Sequence, residues 1–110
     1  MLAAVLSALA GPRSGDAVAA VGVGPMVVRS LLAASQTKEL VDADARVVVA
    51  GAAFEVPTAL LRLGPGGRLV AVAADAGAAG RVAAAAGLQI RSVQRVGRRV
   101  AWSATLPDPG

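Results

Sequence analysis

Two kinds of residue in this chain could do chemistry: glycines placed to bring the backbone against a ligand, and a few carboxylates. Val18-Ala19-Ala20-Val21-Gly22-Val23-Gly24-Pro25 passes from an apolar run through paired glycines into a proline. Gly22 and Gly24 keep the backbone bare, and a helix starting after them offers unpaired N–H groups to a ligand. The same two glycines serve equally well to make a tight strand-to-helix turn. Phe54 and Glu55 lie in Gly51-Ala52-Ala53-Phe54-Glu55-Val56-Pro57, a loop expected at the carboxyl end of a strand. Open α/β sheets bind ligands at such ends, so both residues are candidates to line a substrate pocket. Their competing role is structural, with Phe54 packed on the following helix and Glu55 capping it. Gly64-Pro65-Gly66-Gly67 reads as a turn that positions the strand after it and touches no ligand.

The missing residue types exclude more than the present ones suggest. The chain of 110 residues contains no His, Cys or Tyr. Imidazole catalysis, thiolate nucleophiles, disulfides and His- or Cys-ligated zinc are therefore excluded. Asp16, Glu39, Asp42, Asp44, Glu55, Asp75 and Asp108 show no ligand-loop spacing, so no metal is expected. The net charge is +4, with Arg81, Arg91, Arg95, Arg98 and Arg99 crowding the last third. Such a region could meet phosphate or an acidic surface. The only aromatics are Phe54 and Trp102, and neither is interleaved with these arginines to stack bases, which argues against nucleic acid.

The length suits one domain, residues 1–110. The apolar opening Met1 to Ala10 lacks the positive charge of an export signal, although Ala8-Leu9-Ala10 imitates a cleavage site. No run reaches the roughly 20 apolar residues of a membrane span. The expectation is a soluble cytoplasmic protein.

Punctuation by Gly and Pro divides the chain cleanly. Leu2 to Leu9 reads as a helix stopped by Gly11-Pro12, and Ala17 to Val21 as a buried strand. Pro25 opens a helix running to about Ser35. Gln36 to Asp44, the most polar stretch, is expected as a loop with room for one helical turn. Arg46 to Ala50 has the three consecutive valines of a strand buried on both faces. Helix Pro57–Leu63, strand Arg68–Ala73 and an Ala-rich helix Ala76–Ala86 ended by Gly87 follow. Two strands, Leu88–Val96 and Arg98–Leu106, are joined too closely to cross over and must pair antiparallel. Alternating strands and helices imply a mostly parallel sheet covered on both faces, an α/β three-layer sandwich.

Taken together these segments resemble the class I S-adenosylmethionine-dependent methyltransferases, a Rossmann-like superfamily. Gly15-Asp16-Ala17-Val18-Ala19-Ala20-Val21-Gly22-Val23-Gly24-Pro25-Met26 resembles that family's first motif, G-D-x-V-L-D-V-G-x-G-x-G. Asp44-Ala45-Arg46-Val47-Val48-Val49 resembles its fourth strand, and Leu63-Gly64-Pro65-Gly66-Gly67-Arg68-Leu69-Val70 the L-x-P-G-G-x-L-V leading into its fifth. The closing strand pair is similar to its antiparallel sixth and seventh. Ala52 to Leu61 is similar to the protein-L-isoaspartate O-methyltransferases, and the stretch after Asp75 to the decarboxylating precorrin methyltransferases. The resemblance implies strand order 1-4-5-7-6 in the family's names, a transferase activity and S-adenosylmethionine as cofactor.

It also implies a depleted site. The family's acid at the end of the first strand falls on Ala20, and its third glycine falls on Met26. About two strands and two helices are missing between the first glycine-loop helix and Arg46, and the acid that grips the ribose is missing with them. If the cofactor binds, Gly22 and Gly24 would approach its methionine portion. Asp42 or Asp44 would replace the ribose acid, and Phe54 and Glu55 would face the acceptor. A degenerate methyltransferase, weak or inactive alone, is the first expectation. The alternative is a non-catalytic assembly subunit, because Ala17 to Val21 becomes a sheet edge without charge or Pro to protect it. Such an edge suits a homodimer or pairing with a complete methyltransferase.

Overall fold

A computed structural model describes residues 2–107. Its elements are α1 (Leu2–Ala10), β1 (Val18–Val21), α2 (Pro25–Ser35), β2 (Ala45–Ala50), a single 3-10 turn (Ala53–Glu55), α3 (Val56–Arg62), β3 (Leu63–Ala73), α4 (Ala76–Ala85), β4 (Gln89–Val96) and β5 (Arg99–Thr105). The five strands form one sheet in the order β1-β2-β3-β5-β4. β1 pairs with β2, and β2 with β3, in parallel; β5 runs antiparallel to both β3 and β4. This is the expected order, with β1 at one edge.

Each face of the sheet carries its own apolar layer. On one side Leu6, Val27 and Leu31 of α1 and α2 meet Val18, Val47, Val49, Val70 and Val72. On the other, Val56, Ala59, Ala79 and Ala83 of α3 and α4 meet Ala19, Val48, Leu69, Ala71 and Trp102. The alternation of β-strand side chains sorts consecutive valines of β2 to opposite layers, which is why both faces need apolar residues there. The small alanines let the helices sit close. Trp102, 1% exposed, supplies much of the bulk on its side, and among the described residues its indole N–H has no hydrogen-bond partner.

One segment departs from expectation, and a second, a loop as expected, does more than connect. Gly64 to Gly67 is not a free turn but the first part of β3, where Leu63 pairs with Ala45 and the register shifts before Arg68 meets Val47. The missing side chains explain it: a Cβ on Gly67 would come within 2.9 Å of the Ala45 carbonyl oxygen, so only glycine lets this strand lie so close to β2. The second is Gln36 to Asp44, which leaves α2 through a left-handed Gln36 (φ 55°) and runs past β1. Its Val41 N–H donates to the Val18 carbonyl at 2.9 Å, while Leu40 and Val41 pack into opposite layers. One residue thus covers the amino half of an edge that the sequence suggested was wholly bare. The opposite edge, β4, carries Arg91 and Arg95 and a register shift between Ile90 and Ser92, both devices that discourage strand addition.

Candidate functional site

The parallel strands β1, β2 and β3 end together, and the loops beyond them converge. The ladder fixes the first contact: the Gly51 N–H donates to the Val21 carbonyl at 2.9 Å, tying the end of β2 to the end of β1. A Cβ added to Gly51 would collide with the carbonyl oxygen of Gly22, so the two loops touch backbone to backbone. Gly22 itself has φ +67°, a conformation that side-chain-bearing residues rarely adopt. Gly24 stands at the N-cap of α2 with no side-chain cap, and Pro25 begins the helix, leaving the next amides unpaired at its positive end.

Glu55 completes this corner. It occupies the N-cap position of α3 but makes no side-chain cap hydrogen bond. Its side chain instead lies over Gly22: a Cβ there would meet Glu55 Oε1 at 2.6 Å and its Cδ and Cγ at 2.8 Å. Neither structural role expected for the Phe54–Glu55 pair is realised, since Phe54 is 79% exposed and Glu55 caps nothing. Met26, where a glycine would continue the loop motif, is 71% exposed. Asp75, at the end of β3, is committed to α4, accepting the Ala78 N–H at 2.7 Å.

Gly22, Gly24, Phe54 and Glu55 therefore share the carboxyl end of the sheet, and Asp42 and Asp44 do not join them. Asp44 precedes β2 and lies against Gly64 at the amino end, in a left-handed conformation (φ 54°). Seven residues of extended chain at roughly 3.3 Å each separate it from Gly51, on the order of 20 Å. Asp42 follows Val41, which is anchored to Val18 at the same far end. The parallel register carries this: a residue before β2 cannot reach a ligand beyond β1. Among the described residues no three carboxylates gather as a metal would require, and Asp108 lies outside them.

Two concavities lie away from the glycine corner. One of about 620 Å³, lined by Arg13, Arg46, Arg68, Asp16 and Asp44, opens at the amino end. Two of these side chains serve the structure: Asp16 accepts the Arg13 backbone N–H at 2.8 Å, and Arg68 Nη1 donates to the Leu9 and Ala10 carbonyls at the end of α1. The other, about 370 Å³ and apolar, lies between α3 and α4 around Val56, Leu60 and Val82. Sequence reasoning missed the role of Gly51, although its place after three valines marked it as a strand breaker. It also missed that Glu55 folds back on Gly22, for which the sequence holds no signal.

No family model matches the chain, and no curated protein matches it in sequence. Solved structures do match. A SAM-dependent O-methyltransferase from Thermotoga maritima aligns at a TM-score of 0.69 with 9% identity, over 98% of this chain and 66% of its own. A ribosomal protein L11 methylase from Lactobacillus delbrueckii subsp. bulgaricus aligns at 0.65 with 15% identity, over 97% and 77%. A precorrin-6y C5,15-methyltransferase from Geobacter metallireducens aligns at 0.62 with 11% identity, over 96% and 87%. At these identities the likeness is one of fold. Among the described residues no helix is long and apolar enough to cross a membrane.

Proposed function

We propose that this chain, which has the class I methyltransferase fold, is a degenerate member of that fold: it holds S-adenosylmethionine weakly and transfers methyl groups slowly or not at all by itself. The observation that carries this reading is the position of the glycine loop. Gly22–Gly24 follows β1, and β1 is the edge of the sheet. A ligand seated there meets protein on the β2 side alone.

The residues present fit one half of the cofactor. The bare backbone of Gly22 and Gly24, the open end of α2 and the Glu55 carboxylate suit a small amino-acid portion with a positive charge. Among the described residues no strand lies beyond β1 to wall in the adenosine at its carboxyl end, and Ala20 offers no carboxylate. A charge-assisted hydrogen bond is worth about 1.5–3 kcal/mol, so losing two weakens affinity roughly a hundredfold or more. When bound, the cofactor would supply an electrophilic methyl group on a sulfonium sulfur. The chain's own part is orientation, which contributes most of the rate in transfers between held partners and fails when the donor is loose. With no His, Cys or Tyr, the side chains left to serve as a general base are the carboxylates and Lys38.

Titration calorimetry with S-adenosylmethionine at millimolar concentration tests this: a dissociation constant of on the order of 0.1 mM or weaker is expected. Low-micromolar binding, or turnover typical of a complete enzyme, contradicts it.

A second reading, an assembly protein of the cytoplasm, rests on Ala20. Ala17 and Val21 direct their carbonyls to β2, accepting the Arg46 and Gly51 N–H groups. By alternation Val18 and Ala20 point outward, and Val41 covers the Val18 carbonyl alone. Among the described residues the outward Ala20 N–H and C=O have no partner, which suits a strand from a second copy or from a complete methyltransferase. Sedimentation above the 10.7 kDa monomer mass, abolished by Ala20→Pro, supports this role; a monomer alone and in mixture with such an enzyme refutes it.

A further inference from the structure

The Glu55 side chain is half-buried, caps no helix, and rests on a glycine closely enough that no other residue could stand at position 22 without displacing it. A carboxylate brought to bare backbone in this way is an arrangement for receiving a cation. We propose that Glu55 supplies from the β2–α3 loop the negative charge that β1 lacks at Ala20. In this role it selects ligands at the glycine corner by the charge on sulfur, preferring a sulfonium over the neutral thioether that carries the same amino-acid and adenosine groups. The inference rests on the cofactor reading above and assigns Glu55 to the cofactor, not to the methyl acceptor. The left-handed backbone at Gly22 strains any side chain placed there, and an added Cβ would push the Glu55 carboxylate aside.

Three features of the geometry support it. Gly51 holds the Glu55-bearing loop against β1 through its hydrogen bond to Val21, so the carboxylate is not on a free-swinging segment. The 3-10 turn Ala53–Glu55 fixes the backbone just before it, with the Glu55 N–H donating to the Ala52 carbonyl at 3.0 Å. Partial burial lowers the screening that water would otherwise provide, so charge is discriminated more strongly than on an open surface.

The test compares S-adenosylmethionine, which carries the sulfonium, with S-adenosylhomocysteine, which does not. Binding is read from amide chemical-shift changes at Gly22 and Gly24 in the wild type, Glu55→Gln and Glu55→Ala. The wild type is expected to favour the sulfonium compound about tenfold, the difference between a charge-assisted and a neutral contact. Glu55→Gln is expected to bring the two affinities within about twofold by weakening only the sulfonium compound, and raising the salt from 20 to 200 mM reduces the wild-type preference. If Glu55→Gln and Glu55→Ala instead bind both compounds more tightly, the carboxylate is a plug and the assignment is wrong. A ratio unchanged in Glu55→Gln also overturns it, while leaving the cofactor reading intact. Binding of neither compound to any of the three proteins removes the cofactor reading itself, and this inference with it.

Discussion

Replacing Gly51 with alanine puts the junction of the two loops under direct strain. The added Cβ runs into the carbonyl oxygen of Gly22, which is backbone and cannot swing aside as a side-chain tip would. Relief requires the end of β2 to lift from β1, which breaks the 2.9 Å hydrogen bond from the Gly51 N–H to Val21. A net hydrogen bond is worth about 1 kcal/mol, and overpacking without an escape route costs about 1–3 kcal/mol. Gly51→Ala is therefore expected to destabilise the protein by about 2–4 kcal/mol, a large fraction of the stability of a domain this size. Urea unfolding followed by circular dichroism measures it, with the midpoint falling and the slope unchanged. Gly24→Ala is the matched control: its Cβ would meet nothing within 4 Å, so its cost is confined to the helix cap, under about 1 kcal/mol. A loss for Gly51→Ala below about 0.5 kcal/mol, or no larger than the control's, refutes the contact between the loops.

Three further substitutions test the supports of the site. Asp75→Ala removes the N-cap of α4 and is expected to cost about 1 kcal/mol in thermal or urea unfolding, with Asp75→Asn retaining most of the stability. Arg68→Ala leaves the Leu9 and Ala10 carbonyls at the end of α1 to water, and a loss of about 1 kcal/mol with unchanged cofactor titration is expected. Trp102→Phe removes a buried N–H that has no partner among the described residues. The relief offsets the small cavity, so its cost stays within about 1 kcal/mol where truncation of a buried Trp to Ala costs about 3–5 kcal/mol.

The strand order was readable because the signals were local and mutually consistent. Gly22-Val23-Gly24-Pro25 marks a strand end and a helix start at once, the valines of β2 demand burial on both faces, and the short Gly97 link forces an antiparallel pair. The same logic failed at Gly64–Gly67, where three glycines among four residues announce a turn. In the structure their lack of side chains lets the chain press against Ala45 and continue as strand. The candidate site was half legible. Residues beyond the carboxyl ends of β1 and β2 could be named because loops after parallel strands gather at one end. Asp42 and Asp44 joined that group only as replacements for the missing ribose acid, whereas residues preceding a parallel strand belong at its amino end, away from the loops that follow β1 and β2. The fold of Glu55 onto Gly22 depends on a non-local contact and on a side-chain rotamer, and neither leaves a periodic or compositional trace.

Whether β1 truly ends the sheet, leaving the glycine corner walled on one side, can be read from a single pair of amides. In the monomer at low concentration, the Ala19 N–H faces β2 and the Ala20 N–H faces out. Hydrogen exchange followed by NMR should find Ala20 exchanging at least on the order of a hundredfold faster than Ala19. Equal protection of the two would mean that something covers that edge, and the half-built pocket would have to be abandoned.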